Sequence, residues 1–168
     1  MINQPPYPIY PSLTNNKISL KEIQEENVDE IISITSYNRI LAKDKIEAWN
    51  MIQQLKQDYQ NGKSLHWGIF DQSTDQIIGT CGYYRGFENS RGELGCVLLP
   101  KFRRKGYMKQ ALQLAIDFGY DVLKLNEVFA YTNNDNLDAI NLLKSLNFQL
   151  TKNINEIEIE MLHKKSDY

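Results

Sequence analysis

Ile18-Ser19-Leu20-Lys21-Glu22-Ile23 alternates apolar and polar residues, the two-residue period of a half-buried strand. Val28, Ile31, Ile32 and Thr35 follow at helical spacing. A stronger helical stripe comes next: Ile46, Trp49, Ile52, Leu55 and Tyr59 fall near one face, and Asn61-Gly62 stops it. Stripes of this kind are core packing first, and Trp49 is read that way. The period then drops to two. Residues 65–70, 76–84 and 93–99 read as strands, parted by a polar turn at 71–75 and a loop at 86–92. Connections this short make an antiparallel meander, which Pro100 ends.

Beyond Pro100 the helical period returns. Met108, Ala111, Leu112, Ala115, Ile116 and Gly119 predict a helix over about 106–123. A short strand is expected at 127–131. Leu137, Ile140, Leu143 and Leu146 mark another helix, opened by the capping-prone Asn133-Asn134-Asp135-Asn136. Asn147 can take the left-handed conformation that closes it. Ile154, Ile157, Ile159 and Met161 suggest one last strand, with Glu156, Glu158 and Glu160 as its polar face rather than a metal site. Strands followed by βαβα predict a mixed α/β (α+β) sheet with helices on its faces.

The chain has 168 residues, which suits one domain spanning 1–168 with a core that needs no metal or disulfide staple. Residues 1–12 carry most of the prolines and read as an extended lead-in. Charge is nearly balanced, 19 Lys+Arg against 21 Asp+Glu, which argues against a general nucleic-acid binder. No basic-then-apolar leader and no apolar run of membrane length is present, so a cytoplasmic location follows by default. Cys81 and Cys96 form no CxxC or Cys/His cluster, so no metal is expected and both read as reduced thiols in or near the core.

One segment carries chemistry. In the stretch from Glu93 to Leu112, a strand ends at a proline, a short turn follows, and a helix opens at Gly106. Free N–H groups and the dipole at a helix start favour an anion. Gly106 has no Cβ, so a phosphate can come close to the backbone. Arg103, Arg104 and Lys105 add positive charge there. This suits a phosphate ester whose long neutral tail runs along the preceding strand. A solvated basic loop is the competing explanation of the charge run taken alone.

Leu98-Leu-Pro-Lys-Phe-Arg103-Arg-Lys-Gly106-Tyr-Met108 resembles the acetyl-CoA signature of the GNAT acyltransferase superfamily, [RQ]-x-x-G-x-[GA]. The stretch from Ala130 to Phe148, with Asn136, Ala139 and Asn147-Phe148, is similar to that family's second signature. Residues 11–23 look like the entry strand of its RimJ/RimL branch, which acetylates protein N-termini, notably of ribosomal proteins. The resemblance spans about residues 11–162, so one acyltransferase domain is expected.

The resemblance implies a splayed central pair of parallel strands that admits the pantetheine of acetyl-CoA. It implies backbone partners at Cys96, Val97 and Leu98, pyrophosphate contacts from Arg103, Arg104, Lys105, Gly106, Tyr107 and Met108, and Asn136 beside the pantetheine or thiol end. Glu93, where several members place a glutamate, would be the base that takes the amine's proton. Pairing with Arg91 is the alternative role for that carboxylate. Tyr83, Tyr84 and Arg85 end a strand near the acceptor side, where the tyrosines could shape the amine pocket. His66 is read as a structural or surface histidine.

Two departures matter. Ala139 stands where many RimJ/RimL-type enzymes have Ser, and Leu143 where other branches have Tyr. Met108 in the signature is a smaller one. The expected reaction is direct attack of a primary amine, most readily a protein or peptide N-terminus, on acetyl-CoA in a ternary complex. A polyamine or amino-sugar acceptor, or a coenzyme A-binding regulatory module, stays open, as does the homodimer that many relatives form.

Overall fold

The computed structural model describes residues 2–165. A short hairpin, β1 (Leu13–Thr14) and β2 (Ile18–Lys21), leads into an irregular helical stretch that contains α1 (Val28–Ile31). A second small hairpin, β3 (Ser36–Tyr37) and β4 (Ile40–Leu41), precedes α2 (Lys45–Gln60). The meander is β5 (Leu65–Asp71), β6 (Ile77–Tyr84) and β7 (Arg91–Leu98). Then come α3 (Tyr107–Asp121), β8 (Glu127–Asn133), α4 (Leu137–Lys144), β9 (Phe148–Asn153) and β10 (Glu158–His163).

Eight strands form one sheet in the order β1-β2-β5-β6-β7-β8-β10-β9. Every neighbouring pair is antiparallel except β7 and β8, which are parallel and joined through α3. A parallel pair cannot be closed by a tight turn, and the helix supplies the crossover.

α2 starts where the Asp44 side chain accepts a hydrogen bond from the Glu47 amide at 2.8 Å, and it ends at Asn61. Its buried face is Ala48, Ile52, Leu55 and Tyr59; Ile46, expected on that face, is 75% exposed. α3 buries Ala111, Leu112, Ala115, Ile116 and Gly119 against the sheet. Gly119 is needed there: a Cβ would lie 2.1 Å from the Tyr83 hydroxyl, which donates to the Ala115 carbonyl at 2.8 Å. The larger core gathers Trp67, Tyr83, Leu94 and Ile116, and Leu143, Leu146 and Phe148 join it. A smaller one, with Ile23, Ile31, Ile52, Phe70 and Ile77, ties in α1 and α2. Each such fully buried aliphatic side chain contributes about 1.5–3 kcal/mol.

The C-terminal region differs from the sequence expectation. Two strands stand where one was expected, and Ile154 and Ile157 lie exposed in the turn between them. β9 is an edge strand with only Phe148 buried, so it lacks the alternation that marks a half-buried strand.

Candidate active site

β7 and β8 are paired only at Arg91–Glu127, Gly92–Val128 and Glu93–Phe129. Past Glu93 the pairing stops, although β7 continues to Leu98 and β8 to Asn133. The Leu99 amide donates to Ile78 of β6 at 2.9 Å. By strand alternation the backbone groups of Cys96 and Leu98 therefore face the open side, while those of Val97 face β6. Consistent with this, a Cβ on Gly79 of β6 would meet the Val97 carbonyl oxygen at 2.3 Å. The Leu98 carbonyl accepts from Arg103 Nε at 3.2 Å. Cys96 is half-buried and lies directly across from buried Cys81 on β6; both thiols are free.

The turn after β7 is shaped by two left-handed residues, Arg104 at φ 58° and Gly106 at φ 80°. Gly106 caps α3, and Gln110 is the first residue of the helix whose amide bonds back to it, at 3.4 Å. The amides of Tyr107, Met108 and Lys109 are thus left without an intrahelical acceptor. Arg103, Arg104 and Lys105 are exposed around this opening. A further cation reaches it from the β1–β2 turn: Lys17 Nζ donates to the Lys105 carbonyl at 2.5 Å and lies 4.7 Å from the centre of the Tyr107 ring. The Tyr107 hydroxyl in turn donates to Asp71 at 2.5 Å, and that carboxyl is held well below its usual range by bonds from Ser73 and Tyr107. A Cβ on Gly106 would meet only Lys17 Nζ, at 3.4 Å. Four cations, free amides and a bare glycine fit the pyrophosphate of acetyl-CoA.

α4 begins beside this loop. Asn136 caps it, its side-chain oxygen accepting from the Ala139 amide at 3.2 Å, which leaves its amide nitrogen for another partner. Arg104 pairs with Asp138 at 3.2 Å, an exposed contact that joins the two signature segments with little energy. Leu143 is buried in the main core, so that position faces packing and not the open slot.

A cavity of about 380 Å³ opens where β7 and β8 part, with Tyr84, Arg85, Arg91, Glu93, Phe129 and Tyr131 in its wall. Glu93 is 8% exposed, and both its oxygens are taken by Arg85: Nε reaches Oε2 at 2.6 Å, and Nη2 bonds Oε1. The carboxylate is therefore paired with Arg85 rather than Arg91. Arg91 stacks over the Phe129 ring at 4.4 Å and bonds Glu127 at 2.5 Å and Glu160 at 3.2 Å. Burial raises the Tyr84 and Tyr131 phenols, so both remain protonated through the neutral range.

Tyr83, expected beside Tyr84 in the pocket, is fully buried on the opposite face of β6, its hydroxyl spent on α3. Successive strand residues face opposite sides, so only one of the two tyrosines could line the cavity. His66 sits near the Tyr84 ring, centroids 5.5 Å apart, and burial pushes its imidazole down to about 4. Lys17, Phe129 and Tyr131 belong to these surroundings without having been marked by any motif.

An antiparallel meander, a single parallel strand pair that opens past its first three residues, and a cation-rich helix start at that opening together describe an acyltransferase site. Residues 17–149 match the GNAT acetyltransferase domain, and the chain belongs to that family of acetyl-CoA-using N-acetyltransferases. It is 32% identical over 146 residues to the uncharacterized N-acetyltransferase p20 of Bacillus licheniformis, covering 82% of each chain. It is 28% identical over 104 residues to the spermidine N(1)-acetyltransferase of Escherichia coli K12, covering 56% of this chain and 52% of that one. In fold it is similar to RimL, the ribosomal L7/L12 alpha-N-protein acetyltransferase in complex with coenzyme A. The TM-score is 0.76 at 16% identity, over 88% of this chain and 93% of that one. Among the described residues no helix is long and apolar enough to cross a membrane, and no group of metal-binding side chains occurs.

Proposed function

We propose that this enzyme acetylates the primary amine of a protein or peptide N-terminus, in a ternary complex with acetyl-CoA. The reading rests on one observation above all: the Glu93 carboxylate lines an aromatic-walled cavity at the point where the two parallel strands part. The cavity volume suits a short chain end.

Acetyl-CoA, when bound, supplies the acyl thioester. Arg103, Arg104, Lys105 and Lys17, with the free amides of Tyr107 and Met108, hold its phosphates. The open backbone edge at Cys96 and Leu98 and the Asn136 amide align its tail. Glu93, released from one of its bonds to Arg85, accepts a proton from the acceptor ammonium, so that the neutral amine attacks. General-base help of this kind is worth about 10²–10⁴ in rate. Neither Ala139 nor Leu143 can return a proton to the departing thiolate; with a thiol pKa of about 8.5, water suffices. Tyr84 and Tyr131 are protonated hydroxyls in the cavity wall.

A polyamine acceptor is the second reading, favoured by the similarity to a spermidine acetyltransferase. Product mass spectrometry decides between them. The protein is incubated with acetyl-CoA and a pooled panel of N-terminal peptides, polyamines and amino sugars. Acetylated peptide termini support the first reading, and acetylated spermidine with untouched peptides overturns it.

A further inference from the structure

Arg85 is held in an unfavourable way. Its backbone lies in the left-handed region at φ 58°, where a residue with a Cβ is disfavoured, and Gly86 follows at φ 87°. The Gly86 amide is fixed to the Lys63 carbonyl at 2.8 Å. This bend turns the guanidinium back over Glu93. The pair is unequal: the Arg85 side chain is 48% exposed and that of Glu93 11%. The fork binds through Nε and Nη2, which leaves Nη1 without a protein hydrogen-bond partner among the described residues.

The other cavity charges are arranged differently. Arg91 is neutralised by two carboxylates, one of them on Glu160, which is itself buried. Glu88 lies in the wall and is exposed. Glu158, outside the cavity wall, acts on Arg85 only through its charge and is bonded instead by Arg39 of the β3–β4 hairpin at 2.9 Å. Among the described residues, Arg85 is therefore the cavity cation whose one bonded carboxylate is the one the amine must reach.

An ammonium that approaches Glu93 competes with Arg85 for it. Once it succeeds, the guanidinium keeps at most one of its two bonds to that carboxylate, and part of its charge is left uncompensated. An acceptor that brings its own carboxylate a few ångströms from its amine replaces both halves of the pair at once. A polyamine brings further positive charge toward Arg85 instead. We infer that the Arg85–Glu93 pair selects acceptors whose amine lies next to a carboxylate, namely peptides with Asp or Glu within the first two positions. This rests on the peptide-terminus reading above and narrows it.

The test compares two peptides that differ only at position two, Asp against Lys, together with spermidine. Each is measured for kcat/KM with acetyl-CoA and, independently of turnover, for binding to the protein loaded with coenzyme A. Arg85→Asn keeps a residue that tolerates the left-handed backbone, and Arg85→Glu reverses the charge. Thermal melts confirm that both variants are folded. A charge-assisted contact of about 1.5–3 kcal/mol predicts a preference for the Asp peptide of roughly ten- to hundredfold. Arg85→Asn should erase that ratio, and Arg85→Glu should invert it. Equal use of both peptides, or a ratio that survives in Arg85→Asn, overturns the selectivity and leaves the peptide-terminus reading standing. Turnover or tight binding of spermidine alone overturns both.

Discussion

Replacing Lys17 by Met tests the phosphate end of the site where no motif pointed. The ammonium makes one bond to the Lys105 carbonyl and one cation–π contact with Tyr107. An exposed cation–π contact is worth about 0.5–1 kcal/mol. The Tyr107 hydroxyl keeps its bond to Asp71 in the variant, so the loop retains an anchor. Folding stability should therefore fall by only about 1 kcal/mol. For the bound state, a charged donor to phosphate contributes about 1.5–3 kcal/mol, reduced by solvent because Lys17 is half-exposed. Coenzyme A affinity should drop roughly five- to thirtyfold, corresponding to about 1–2 kcal/mol. Titration calorimetry at several salt concentrations is the assay. The deficit should shrink as salt screens the site, and Lys17→Arg should recover most of it. Affinity within about twofold of the parent at low salt would refute the assignment of Lys17 to the phosphates.

Other consequences concern stability. Gly119→Ala forces a methyl onto the Tyr83 hydroxyl and should cost about 1–3 kcal/mol in denaturant unfolding. Tyr83→Phe removes the atom in the way, so the double variant should lose less than the two single losses added together. His66 is held neutral, at about 4 against its usual 6.5, so the unfolded chain binds a proton that the folded one refuses. Its contribution is complete above about pH 6.5 and is lost as pH falls toward 4, by up to about 3 kcal/mol. His66→Gln should flatten that acid limb of the stability profile.

Long periodic elements were legible in the sequence because their burial follows the period. α3 buries the alanines and leucines that the helical spacing selects, and the meander strands lie within two residues of expectation. The basic turn was legible because strand, proline, charge and glycine occur in order. Other features were not. β3 and β4 are two residues each, with Ile40 and Leu41 exposed, too short for any period to register. β9 has a single buried side chain. Tyr83 and Tyr84 are chemically identical neighbours, and only the groove at Gly119 decides which one faces α3. Lys17 and Arg85 meet their partners across 88 and 8 residues, and both contacts depend on turns whose geometry no spacing encodes.

We propose Glu93, at the parting of β7 and β8, as the group that takes the proton from the acceptor amine. Single-turnover acetyl transfer by Glu93→Gln, at saturating acetyl-CoA and with coenzyme A affinity measured on the same sample, tests it most directly. The rate should fall by about 10²–10⁴ with coenzyme A affinity unchanged. A rate equal to the parent's, with the variant folded and loaded, would contradict it.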